Sequence, residues 1–93
     1  MKNIKVGLIG YGYWGKNIAR NLYDLKVLTC IYDNNFSSID KAKELYSELT
    51  FYSDINSILN SNIDAVFISS PAKTHNQLVK MSLKAKKHVF VEK

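Results

Sequence analysis

Apolar residues recur along this chain with two spacings, and the change from one to the other marks out its elements. Ile4-Lys5-Val6-Gly7-Leu8-Ile9 is short, rich in branched residues and stopped by Gly10, which predicts a largely buried strand. Ile18, Ala19, Leu22 and Leu25 then fall at helical spacing, the stripe of a helix packing one face on a sheet. Strand character returns from Lys26 to Tyr32 and stops at the polar turn formers Asp33-Asn34-Asn35. A second helix is announced by Ser37-Ser38-Ile39-Asp40, in which a serine precedes an acid at capping-box spacing. Ile39, Ala42, Leu45, Tyr46 and Leu49 supply its apolar face. Thr50-Phe51-Tyr52 predicts a brief strand, followed by a short helix opened by Ser53 or Asp54 and carrying Ile55, Ile58 and Leu59. Ala65-Val66-Phe67-Ile68 is a buried strand ended by Ser69-Ser70-Pro71. Thr74 with Gln77 forms another capping box, Leu78, Met81, Ser82 and Ala85 form an inner helical stripe, and Val89-Phe90-Val91 is the last strand.

Strands alternating with helices imply right-handed crossovers and a parallel sheet covered on both faces. The fold class is therefore α/β, a doubly wound Rossmann-type parallel sheet of about five strands, with residues 1–93 as one domain. No internal repeat, low-complexity tract or linker interrupts it.

Composition narrows the picture by exclusion. The 93 residues are 46% hydrophobic and 23% charged, a globular balance that argues against disorder. No apolar run approaches the roughly 20 residues of a membrane-spanning helix, and no signal-peptide core follows Met1. One cysteine, Cys30, cannot form an internal disulfide, and it stands with no metal-ligand spacing to His75 or His88, so no metal is expected and a cytoplasmic location fits. The net charge of +5 suits an anionic partner, but Arg20 is the sole arginine, whereas base reading favours the arginine fork. Lys80, Lys84, Lys86 and Lys87 read as a solvated helix face, and neither nucleic acid nor membrane is expected as a partner.

The chemistry centres on Gly10-Tyr11-Gly12-Tyr13-Trp14-Gly15, a G-x-G-x-x-G pattern that follows a strand, opens a helix and lies in the first βαβ unit. Gly10 permits the tight turn, Gly12 lets the backbone approach a pyrophosphate, and Gly15 allows close packing of helix on strand. Unpaired amides at the helix start hold the phosphate charge. Asp33, 18 residues after Gly15, sits at the end of the second strand, where its carboxylate would bind the adenosine ribose hydroxyls and select NAD over NADP. The competing reading of Asp33 is a plain turn residue.

Ser69, Ser70 and Pro71 end the fourth strand at the carboxyl edge, where ligands of open α/β sheets collect. Contacts to the cofactor compete there with serines that serve the backbone. His75 on the same edge is either a helix-terminus histidine kept neutral by the dipole or a contact to nicotinamide or ribose. His88, at the opposite edge, reads as structural. Tyr13 and Trp14 either cover the cofactor or a neighbouring domain, or pack ordinarily.

These residues together resemble the nucleotide-binding half of the Gfo/Idh/MocA family, NAD(P)-dependent oxidoreductases acting mainly on sugars, sugar derivatives and cyclitols. The resemblance covers the whole chain and rests on residues 7–15, on Ser70-Pro71 with His75 four residues later, and on Val91-Glu92-Lys93. It implies that Lys93 is catalytic beside the nicotinamide and that Glu92 adjoins the cofactor. It also implies hydride transfer at a hydroxyl-bearing carbon, a homo-oligomer at full length, and a second, mostly β-sheet domain that these residues do not include. The Tyr-Gly-Tyr-Trp-Gly loop is similar to that of the sugar-nucleotide dehydrogenase branch. On this reading the chain is the N-terminal fragment of a larger enzyme and binds NAD without turnover. The alternative is a free-standing nucleotide-binding or sensor module.

Overall fold

The computed structural model describes residues 4–91. The elements are β1 (Val6–Ile9), α1 (Tyr13–Asp24), β2 (Leu28–Tyr32), α2 (Phe36–Leu45), β3 (Thr50–Tyr52), α3 (Ile55–Leu59), β4 (Ala65–Ile68), a 3-10 turn (Ala72–Thr74), α4 (His75–Lys84) and β5 (His88–Val91). All strand pairs are parallel, in the order β3-β2-β1-β4-β5, the doubly wound arrangement expected from alternating strands and helices.

Two apolar layers flank the sheet. On one side Leu8 and Ile31 pack against Ala19 of α1 and against Ile39 and Ala42 of α2, with Tyr11 and Tyr46 closing the cluster. On the other, Ile9, Cys30, Val66 and Ile68 pack against Ile58 and Leu59 of α3, with Leu78, Val79, Met81 and Ala85 on or beside α4 against them. Ser82 belongs to that inner stripe as expected: it is fully buried, and its hydroxyl donates to the Leu78 carbonyl at 2.7 Å.

Several expectations are corrected. Asn35, not Ser37, caps α2: its side chain accepts from the Ser38 amide at 3.1 Å. An Asp33-Asn34-Asn35 run reads as a turn, but the last residue of that turn is also the cap. Helix α2 ends at Leu45, which is exposed, and Leu49 lies beyond it. Thr74 does not form a capping box with Gln77, because a 3-10 turn runs directly into α4 and leaves Thr74 in helical geometry. Leu25 is 70% exposed, because α1 stops at Asp24 and Leu25 is its C-cap. The sheet is not covered on both faces throughout: Phe90 stacks on Phe67 at a centroid distance of 6.2 Å and is 55% exposed on the side that α1 and α2 cover elsewhere.

Helices α1 and α4 end alike. Lys26 and Lys86 each adopt φ of 63°, in the left-handed region. Their amides donate to Tyr23 and Leu83, and the next amides, Val27 and Lys87, donate to Leu22 and Ser82. Both are Schellman motifs with lysine where glycine is usual.

Burial pushes the Cys30 thiol up to about 11, although the Ser61 hydroxyl and the Lys87 ammonium partly oppose the shift. About one Cys30 in a thousand is then thiolate at pH 8. We expect a disulfide reagent to react with native Cys30 at least about a hundredfold more slowly than with the unfolded chain, read as absorbance with and without denaturant. Because the native thiol binds its proton more tightly than the unfolded one, stability falls as pH rises from about 8.5 towards 11. Rapid native labelling would show that the thiol is accessible.

Candidate functional site

The strand order reverses between β1 and β4, the switch point where ligands of open sheets bind. Three loops meet near it, after β1, β2 and β4.

Gly10 has φ of +103°, a conformation that side-chain-bearing residues rarely adopt, and a Cβ there would lie 2.7 Å from the Ser70 amide nitrogen. Gly15 sits in the first turn of α1, where a Cβ would overlap the Gly10 carbonyl oxygen and stand 3.0 Å from Ser69 Oγ. Both glycines are therefore required by the protein's own packing. Gly12 differs: a Cβ there would meet nothing within 4 Å. Gly12 is the N-cap of α1, no side chain caps the helix, and its first turn holds no acidic residue. The helix presents amide hydrogens and the positive end of its dipole to open space.

A hydrogen-bond network ties the loops together. Ser69 Oγ donates to the Gly10 carbonyl at 2.7 Å, and the Tyr11 amide donates to Asp33 Oδ2 at 2.7 Å. The other oxygen of Asp33 accepts from the Asn35 amide at 2.8 Å. Each carboxylate oxygen has two acceptor sites, so one on each remains for a ligand hydroxyl. Ser70 Oγ lies 2.7 Å from Thr74 Oγ1, which itself donates to the Pro71 carbonyl at 2.6 Å, so Ser70 is the donor of that pair. His75 Nε2 lies 2.6 Å from the Ser70 carbonyl. A carbonyl only accepts, so Nε2 carries the proton of this hydrogen bond.

A cavity of about 290 Å³ opens between the first turn of α1 and the segment after β4, lined by Gly12, Tyr13, Trp14, Ser69, Ser70, Pro71 and Ala72. Tyr13 and Trp14 meet edge to face at 5.5 Å and are 82% and 58% exposed, so ordinary core packing does not account for them. Six of the residues singled out in the sequence thus share one cavity. Gly10 and Gly15 shape the loop that borders it, and Asp33 and His75 hold neighbouring loops by backbone hydrogen bonds. Glu92 and Lys93 lie outside the described residues. His88 lines a separate cavity with Ile4, Asp64, Ala65 and Phe90.

The sequence reading missed Tyr11, Thr74 and Ala72. Tyr11 turns its ring into the core, where it is 2% exposed and burial pushes its phenol up. An aromatic residue between two loop glycines is the signal that marks it. Nothing in the pattern marked Ala72, and Thr74 was read as a cap because the 3-10 turn carries no distinctive residue.

Comparison with known proteins places this geometry. A family model described as "Oxidoreductase family, NAD-binding Rossmann fold" matches residues 4–93. The chain is 37% identical over 93 residues to myo-inositol 2-dehydrogenase of Thermotoga maritima, covering 97% of this chain and 28% of that protein. It is 36% identical over 94 residues to 2,7-anhydro-N-acetylneuraminate hydratase of Escherichia coli, covering 97% of this chain and 24% of that protein. Among solved structures, scyllo-inositol dehydrogenase of Lactobacillus casei with bound NAD(H) and scyllo-inositol superposes with a TM-score of 0.89 at 33% identity, over 99% of this chain and 28% of that one.

The glycines separate in a stability measurement. Gly15→Ala is expected to cost about 2 kcal/mol or more, since its Cβ meets a backbone oxygen that cannot move aside. Gly12→Ala, with open space and an ordinary φ, should cost about 1 kcal/mol or less in urea unfolding, the preference for glycine over alanine at a helix N-cap. Equal losses at the two positions would contradict this division.

Proposed function

The chain belongs to the Gfo/Idh/MocA oxidoreductase family with its NAD-binding Rossmann fold, and on that premise we propose that it is the NAD-binding domain of an enzyme acting on a sugar, sugar nucleotide or cyclitol. The chain spans about a quarter of the length of the curated relatives it matches. A substrate-bearing domain, homo-oligomeric assembly and a cytoplasmic site of action belong to the same proposal. The observation that carries it is Gly12: a glycine that the protein's own packing does not require, at an uncapped helix start, facing a cavity.

The residues present fit a dinucleotide. The first-turn amides of α1 would hold the pyrophosphate, with no side chain at Gly12 to keep it away. The free acceptor sites of Asp33 would bind the ribose hydroxyls. Ser69, Ser70 and Pro71 would border the nicotinamide half, with Tyr13 and Trp14 limiting solvent on the other wall and His75 holding the Ser70 segment in place. Bound there, the cofactor supplies a carbon that takes up or returns a hydride. Lys93, on family grounds, is proposed as the catalytic residue, placing positive charge and a proton donor at the substrate oxygen, with Glu92 adjoining the cofactor. The net chemistry proposed is interconversion of a secondary alcohol and a carbonyl. The E. coli relative is named a hydratase, so product analysis of the full-length enzyme is the direct check on net oxidation.

NADP would set a 2′-phosphate against Asp33. Like charges at 4 Å repel by about 1 kcal/mol in water and about 4 kcal/mol at an effective dielectric of 20, so NAD should bind roughly fivefold to a thousandfold more tightly. Isothermal titration of both cofactors measures the gap. Asp33→Ala should narrow it, and equal affinities in the parent chain would overturn the role given to Asp33.

A further inference from the structure

We propose that Ser69 is a positioning residue for the dinucleotide: with Asp33 it clamps the single peptide plane between Gly10 and Tyr11, and so sets where the next amides point. This rests on the dinucleotide reading above and extends it to a residue whose hydroxyl bonds the protein itself.

The two hydrogen bonds end on the same peptide unit. Its carbonyl, on Gly10, accepts from Ser69 Oγ at 2.7 Å, and its N–H, on Tyr11, donates to Asp33 Oδ2 at 2.7 Å. Ser69 follows β4 and Asp33 follows β2, the strands on either side of β1, so the plane is held from both sides of the strand that leads into it. A peptide unit rotates as a rigid plane, and a glycine before it removes the usual steric bar to rotation. Without the clamp, Gly10 would leave this plane free to turn. Turning it by half a rotation would break both bonds at once and bring the Gly10 carbonyl oxygen against the Asp33 carboxylate, oxygen facing oxygen.

The geometry also couples the third glycine to the clamp. A Cβ on Gly15 would stand 3.0 Å from Ser69 Oγ and overlap the Gly10 oxygen, so the bare backbone of Gly15 leaves the gap that the Ser69 hydrogen bond occupies. Gly12 begins one residue beyond the clamped plane, and α1 follows it directly. The direction of the clamped plane therefore fixes how the uncapped helix start meets the cavity.

The test has two arms. In the cofactor-free chain, amide exchange followed by nuclear magnetic resonance should show Tyr11 N–H protected, with exchange at least tenfold faster in Ser69→Ala and restored in Ser69→Thr. In titrations, Ser69→Ala should raise the Kd for NAD and for ADP about tenfold, equivalent to about 1.4 kcal/mol and the scale of one hydrogen bond, while adenosine, which lacks the pyrophosphate, changes less than twofold. Ser69→Thr should bind NAD within threefold of the parent. Ser69→Cys, similar in volume but a weak donor, takes the place of alanine if that variant does not fold. A lowered melting temperature with unchanged Kd for NAD, or equal weakening of adenosine, would overturn the positioning role. If the parent chain binds no NAD, the dinucleotide reading fails, and the exchange arm then decides the clamp alone: unaltered Tyr11 exchange overturns it.

Discussion

The carbonyl oxygen of Gly10 is where the carboxyl edge of this sheet converges. Helix α1 can start directly above β1 only because Gly15 carries no side chain where that oxygen stands. The same oxygen receives the Ser69 hydroxyl, which draws the end of β4 to the end of β1. The peptide it belongs to reaches Asp33 on the opposite side, and Asp33 in turn holds the Asn35 amide beside the cap of α2. One backbone atom thus registers two strand ends against a helix start, and the peptide it belongs to extends that register to a third strand. The crevice between the α1 start and the β4 end is a product of that register.

What results is a site made mostly of main chain. Among the described residues, none that lines the cavity carries a charge, although the chain as a whole is at +5. The lysines that cluster late among the described residues serve elsewhere. Lys87 donates to the Ser61 and Ile63 carbonyls at 3.0 and 2.8 Å, so one member of the late lysine cluster holds the segment after α3 in addition to meeting solvent. Anion recognition by oriented amides is set by geometry, and it depends less on salt than recognition by mobile ammonium groups at the surface.

Strand positions were the most legible part of the sequence. Thr50–Tyr52 and Ala65–Ile68 match their expected limits, because short apolar runs bounded by polar turns leave little room for error. Helix ends were less legible. Asn35 was hidden inside a turn-forming triplet, and both Schellman termini lacked the glycine that marks such an end in sequence. The glycine loop was readable because its spacing reflects contacts that tolerate no side chain. The clamp was not, since it depends on Ser69 lying across from Gly10, 59 residues away, and only strand order makes them neighbours. Exposure of Phe90 also lies beyond the sequence pattern, because the pattern records apolar character and not what covers it.

The paired lysine termini give the molecule an asymmetry between its two edges. Lys26 and Lys86 each hold a left-handed backbone that costs a side-chain-bearing residue about 1 kcal/mol relative to glycine, and both lie where the chain enters a strand, at the amino edge of the sheet. The glycines, by contrast, gather on and beside β1 and at the start of α1. Conformational strain has therefore accumulated at the end of the domain remote from the cavity, where relieving it would leave the geometry of the crevice untouched. Such a domain can drift in thermal tolerance through its rear turns while its recognition edge stays constant.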